Sequence, residues 1–145
     1  MAGIKKHVRY TWAAVEGIGL EAAGVALFRN IFTIAPPALQ LFSFMDDPDL
    51  YNSASLKVHA LRVMTMVGSA VAGLDDLPTL AASLKELGKK HVARGVLPAH
   101  WEVVGQALIK TLEENLNEAF TAEVKAAWVA VYQVVQDSMI SDNYD

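Results

Sequence analysis

The sequence contains no cysteine. Disulfides, zinc ribbons, iron–sulfur clusters, thiolate-ligated iron and CxxCH cofactor attachment are therefore excluded together, and any metal must be held by His, Asp or Glu. Positive charge is also scarce: 12 Lys plus Arg stand against 16 Asp plus Glu, for a net charge of −4 and no basic run. Duplex DNA and RNA are excluded as expected partners. No long hydrophobic run is present. The longest weakly polar stretch, Val63 to Leu74, includes Thr65 and Ser69 and is too short to span a bilayer. The start Met1-Ala2-Gly3-Ile4-Lys5-Lys6 has no apolar signal-peptide core, and Gly3 stands one place too late for myristoylation. The expectation is a cytoplasmic protein without a membrane partner. The glycines form no phosphate loop or GxGxxG pattern, strand alternation is missing, and neither a nucleophile elbow nor HExxH occurs, so hydrolase-type catalysis has no support.

What is present is apolar and helical. With 145 residues, 53% of them hydrophobic, the chain is long enough to bury a core as one domain, residues 1–145. Ile4, Val8, Trp12 and Val15 recur at helical spacing, with Lys5, Lys6 and Arg9 on the other side. Gly17-Ile18-Gly19 breaks that helix, and a second runs from Leu20 to the stop at Pro36-Pro37. Gly24 inside it costs about 1 kcal/mol relative to Ala, which predicts that another helix passes close at that point. A short turn then delivers Phe42 inward, and Ser43 to Asn52 reads as a loop. Asn52 or Ser53 caps a third helix ending near Gly73, and Asp75-Asp76 with Pro78 starts a fourth, closed by Arg94-Gly95. Pro98 opens a fifth helix, and Thr121 caps a sixth through Val124, Trp128, Val131, Val135 and Met139, before a polar tail from Ser141 to Asp145. The fold class is all-α.

Two histidines interrupt the apolar stripes of this pattern. His91 follows Leu80, Leu84 and Leu87 at a 3.6-residue period, and His59 falls between Leu56 and Val63 on the stripe that continues to Val67 and Ala70. An inward imidazole must satisfy one donor and one acceptor nitrogen, at a cost of about 1–3 kcal/mol if it fails. A backbone carbonyl or a buried water would serve for either ring alone. Two such rings on two helices can instead face each other across an apolar slot, which suits a flat apolar cofactor with a metal at its centre.

The order Trp12, Phe28, Pro36, Phe42, His59, His91, Trp128 resembles that of the globins, and within them the neuroglobins. The local matches are Leu87-Gly88-Lys89-Lys90-His91 with Gly95-Val96 after it, Arg62-Val63-Met64 after His59, and Ala119-Phe120-Thr121 leading to Ala126-Ala127-Trp128. The resemblance covers Val8 to Met139. It implies a globin fold, a three-over-three helical sandwich with a short or absent D helix, and noncovalent haem b. It makes His91 the proximal iron ligand, His59 the distal histidine and sixth ligand, and Phe42 the ring stacked on the haem edge. Phe28, Val63 and Leu87 become pocket walls, as do Val96, Trp101, Val104, Tyr132 and Val135. Arg62 matches the basic position that reaches a haem propionate. A propionate at the mouth needs a cation, and a guanidinium binds it with two hydrogen bonds.

The chain departs from the neuroglobins in its corner. The loop between Phe42 and His59 is shorter than in the vertebrate members and lacks their cysteines, and Phe44 stands where they commonly carry Tyr, so it has no hydroxyl for a propionate. The implied function is reversible binding of O2, CO and NO with His59 and His91 both on the iron at rest, in a monomer or weak homodimer. The alternatives are a haem redox or sensor protein that reacts with NO or nitrite, and a cofactor-free helical interaction domain.

Overall fold

The computed structural model describes residues 2–144; Met1 and Asp145, the ends of the expected domain, lie outside it. The chain there is helical with no strand: α1 (Ala2–Ile18), α2 (Leu20–Ile34), α3 (Ala54–Ala72), α4 (Leu77–Ala93), α5 (Pro98–Leu116) and α6 (Ala122–Ile140). α2 packs on α3 and α5, while α6 packs on α4 and α1. This is the expected three-over-three sandwich, with α1, α3 and α4 in one layer and α2, α5 and α6 in the other. Single 3₁₀ segments occupy the corners, Pro36–Leu41 after α2 and Leu50–Asn52 before α3, so the D region is reduced to one turn. Among the described residues no single helix is long and apolar enough to cross a membrane.

The boundaries follow from local chemistry. Ser53 caps α3 by accepting from the Leu56 N–H at 3.4 Å, Asp76 caps α4 through Thr79, and Thr121 caps α6 by accepting from Val124 at 3.2 Å. Asp75, read from sequence as part of the α4 start, instead bonds Lys5 at 2.8 Å and Arg9 at 3.0 Å and ties the α3–α4 corner to α1.

The core is one cluster of apolar side chains running through both layers. Trp128 is fully buried, packs on Trp12 with ring centroids 5.9 Å apart, and donates its indole N–H to Thr11 Oγ1 at 2.8 Å. Thr11 passes its own proton to the His7 carbonyl, so the contact between α6 and α1 leaves no orphaned donor. Asn30 makes the equivalent tie between α2 and α5, donating to Thr111 at 2.9 Å and Glu114 at 2.8 Å.

The α2–α3 crossing sets the position of His59. A methyl at Gly24 would stand 2.7 Å from the Ala60 carbonyl oxygen, so the close passage expected from that glycine is real and the neighbour is α3. Leu56, Ala60 and Met64 form the fully buried face of α3 against α2. His59, Val63 and Met66 lie about a third of a turn away, on a face that borders a cavity and not the solid core.

Candidate functional site

The cavity lies between α2, the corner after it, α3, the end of α4 and the start of α5. Its volume is about 670 Å³, inside the range of roughly 300–1,000 Å³ usual for small-molecule and cofactor sites. Both histidines line it, one from each side: His59 from α3 and His91 from the last turn of α4.

His91 is held in a definite tautomer. Its Nδ1 donates to the Leu87 carbonyl one turn back, at 2.8 Å. With Nδ1 committed to that carbonyl, Nε2 is the ring nitrogen left for a metal, in a ring that lines the cavity. The Trp101 ring meets the imidazole edge on, with centroids 5.2 Å apart.

His59 is held differently. Its ring packs against Phe28 at 5.3 Å and Phe42 at 5.2 Å, and no hydrogen bond anchors it among the described residues. Burial, then the charges of His91, Arg62 and Arg94, lower its pKa from the ordinary imidazole value. The neutral ring is favoured at neutral pH, which leaves a lone pair for a metal.

Aromatic rings build the wall beside it. Phe42 meets Phe28 edge on at 5.5 Å and stacks on Phe44 at 5.0 Å with only 16° between the planes. Phe44, which sequence reading treated as a missing hydroxyl, is 8% exposed and lines the cavity as an apolar wall. Its neighbourhood carried no periodic signal, because the corner is a series of turns between α2 and α3.

Arg62 reaches the cavity from the exposed side of α3, as expected of a residue at the mouth. Arg94 and His100 also line it, and sequence reading missed both. Arg94 lies three residues beyond His91 and so shares its face of the chain. His100 Nδ1 accepts from the Leu97 N–H at 2.9 Å, which makes its Nε2–H a donor. Two guanidiniums and one ring N–H therefore offer donors where the cavity opens.

Phe28, Phe42, Val63, Val96, Trp101 and Val104 line the cavity together with His59, Arg62 and His91. Three expected wall residues do not. Tyr132 and Val135 border a separate pocket of about 30 Å³ that shares Val63, Met66 and Val104 with the main cavity. The Tyr132 ring lies against Gly105 of α5, and of α6 it is Met139 that reaches the main cavity. The Tyr132 hydroxyl donates to the Trp101 carbonyl, and burial raises its pKa well above the ordinary tyrosine value. Leu87 packs against the core cluster and contributes its carbonyl to His91 without lining the cavity.

The donor set fits a haem. Two imidazoles from separate helices, apolar and aromatic walls, and cationic donors at the mouth match a flat apolar ring with a central metal and anionic edge groups. Among the described residues no cluster of three or more His, Asp or Glu side chains stands ready to hold a bare metal ion instead.

Comparison with known proteins agrees with this geometry. The neuroglobin of Danio rerio is 34% identical over 139 residues, which cover 93% of this chain and 87% of the relative. That of Tetraodon nigroviridis is 35% identical and that of Dissostichus mawsoni 33% identical, with the same coverage. The family model for globins matches residues 25–139, from the middle of α2 to the end of α6 and across both histidines. The chain belongs to the globin family and is a haem protein that binds diatomic gases.

Proposed function

We propose that the chain, acting as one domain, holds haem b noncovalently and binds O2, CO and NO reversibly, with His91 as the permanent iron ligand and His59 as an exchangeable sixth ligand at rest. The observation that carries this is the contrast between the two rings. His91 is fixed through Nδ1 to Leu87, whereas His59 is held only by the edges of Phe28 and Phe42. When bound, haem b supplies the iron centre at which a gas is held. The absence of cysteine rules out thioether attachment, so retention falls to the two imidazoles, the aromatic wall and the cations at the mouth. Phe28, Phe42, Phe44 and Val63 exclude water from the ring faces, and Arg62, Arg94 and His100 offer donors to the propionates. His59 either occupies the distal position or gives it up to an entering gas. An occupied position lowers the apparent gas affinity in proportion to the open fraction. A redox or NO-reacting role uses the same arrangement.

Two spectra test it. Titration of the protein with hemin is expected to give a Soret band, lost or weakened in His91→Ala. The reduced, ligand-free protein is expected to show sharp six-coordinate visible bands that collapse to one broad band in His59→Leu, with faster CO binding. A broad five-coordinate band in the wild type, unchanged in form by His59→Leu, removes the bis-histidine state and leaves the haem assignment intact.

A further inference from the structure

The corner that opens α3 is bonded mainly to itself. Met45 donates its N–H to the Phe42 carbonyl at 3.2 Å, Asp47 to Phe44 at 3.0 Å, Asn52 to Asp49 at 3.1 Å and Ser53 to Leu50 at 3.1 Å. The side chains repeat the pattern, with Asp47 accepting from the Asp49 N–H at 2.9 Å and Asp49 from Asn52 Nδ2 at 3.0 Å. The cap on α3 is long: Ser53 Oγ stands 3.4 Å from the Leu56 nitrogen, beyond the roughly 2.7–3.2 Å usual for such a bond. Among the described residues no hydrogen bond or salt bridge joins residues 43–53 to any α-helix other than α3.

One charged contact crosses from the corner to α2. Arg29 lies 4.6 Å over the Tyr51 ring and has no carboxylate partner among the described residues, so the ring face is where its guanidinium is engaged. Its neighbour Phe28 meets the His59 imidazole with ring centroids 5.3 Å apart. Two adjacent residues of α2 therefore hold the two ends of one stretch: Arg29 the turn before the α3 cap, and Phe28 the imidazole in the second turn after it. Tyr51 packs on the core while Arg29 is exposed, so the guanidinium can swing into water with the core intact.

We infer that Arg29 and Tyr51 are positioning residues for the distal ligand, and that their contact sets how readily His59 leaves the iron to a gas. The inference rests on the reading of His59 as an exchangeable sixth ligand. For the imidazole to withdraw, the start of α3 must shift against Phe28 on α2 and Phe42 in the corner. The contact spans that same boundary and opposes the shift. A single exposed cation–π contact slows such a step by about twofold to fivefold, which leaves the exchange reversible.

The test mixes ferrous, haem-loaded protein with rising CO, where the binding rate levels off at the rate of His59 departure. The wild-type ferrous spectrum is read first: a five-coordinate band removes the bis-histidine reading, and this inference with it. With a six-coordinate wild type, Arg29→Met and Tyr51→Leu are each expected to raise the limiting rate about twofold to fivefold. The double variant is expected to be no faster than either, because each single change already removes the contact; a gain equal to the product of the two overturns the inference. Tyr51→Phe keeps the ring face and is expected to stay near the wild-type rate. In the apoprotein, hydrogen exchange at the Asn52 and Ser53 amides is expected to quicken in Arg29→Met, since these two close the turn that the guanidinium holds. A limiting rate equal to wild type in folded Arg29→Met and Tyr51→Leu overturns this inference alone, even if their urea midpoints fall. A Tyr51→Phe protein as fast as Tyr51→Leu overturns it equally, since the ring under the guanidinium is kept.

Discussion

Replacing Gly24 by Ala tests the helix crossing that places His59. In a helix with open space around it this change gains about 1 kcal/mol, since Ala has the better propensity. Here the added methyl would meet three atoms of Ala60, the carbonyl oxygen at 2.7 Å, its carbon at 2.9 Å and Cβ at 2.9 Å. None belongs to a side chain that can rotate away, so α3 itself must move. Overpacking of this kind costs roughly 1–3 kcal/mol, and with backbone on one side the upper half of that range applies. The net expectation is a loss of about 1–2 kcal/mol after the propensity gain is subtracted. Urea unfolding of the apoprotein measures it, with an unchanged slope showing that the shift in midpoint is a change in stability and not in the surface exposed on unfolding. Gly17→Ala is the control, because a methyl at Gly17 meets nothing within 4 Å and should be neutral or stabilising. Because Ala60 adjoins His59, the haem-loaded Gly24→Ala protein is also expected to show a changed six-coordinate fraction. A Gly24→Ala protein as stable as the wild type, or more so, refutes the close crossing.

Three further predictions follow from the electrostatics. Burial raises the Tyr132 pKa, so the folded state keeps a proton that the unfolded state sheds near pH 10; stability from this group is complete below that value and lost as pH rises, and absorbance at 295 nm should show Tyr132 ionising only with alkaline unfolding, a step that Tyr132→Phe diminishes. Asp75 is held below the usual carboxylate range, first by its hydrogen bond from Lys5 and then by that from Arg9; its contribution is present above the unfolded value near pH 4 and lost as pH falls through the folded one. Asp75→Asn should therefore be slightly less stable at pH 7 in low salt and converge with wild type in acid; equal acid-unfolding curves in low salt would show that the pair contributes nothing. Arg62→Ala and Arg94→Ala should each speed haem dissociation by less than about fivefold, as befits exposed pairs, with the effect shrinking in salt; if both rates match wild type, the propionates lie elsewhere.

The helices were legible because their ends are chemically marked. Ser53, Asp76 and Thr121 are capping residues that accept from the third residue onward, and Pro36-Pro37, Pro78 and Pro98 sit where a helix must stop or can start. The inward histidines were legible from the 3.6-residue stripe alone. The stripe did not tell which of two adjacent faces meets solid core. On α3 the fully buried face is Leu56, Ala60 and Met64, and the face with His59 and Val63 borders the cavity, a distinction made by α2 and not by α3. Tyr132 and Val135 lie on the apolar face of α6 but border the small second pocket, and Met139 further along α6 is the residue that reaches the main cavity, a difference that helical spacing does not encode. Phe44 and Arg94 carried no pattern, since both lie in or next to irregular backbone where side-chain direction depends on the turn.

The two sides of the pocket differ in a way that suits their two tasks. Around His91, Leu87 takes the Nδ1–H, Trp101 meets the ring edge on, and Val96 bonds the backbone carbonyl, while the Tyr144 hydroxyl bonds both Trp101 and Val96. On the distal side His59 has aromatic edges for neighbours, which limit its ring without specifying an orientation by hydrogen bonding. A ligand that must remain should lose little entropy on binding, because it is already ordered; a ligand that must leave should have another low-energy position to occupy. The corner before α3 decides how far His59 can go. Arg29 lies 4.6 Å over the Tyr51 ring and pins the 3₁₀ turn at Leu50–Asn52 to α2, in a corner that has no cysteine to close it covalently. Such a contact is far weaker than a covalent link and opens reversibly. Under the proposed reading, in which His59 gives up the iron to a gas, a corner held by noncovalent contacts suits that exchange and the hydrogen bonds around His91 suit a permanent ligand.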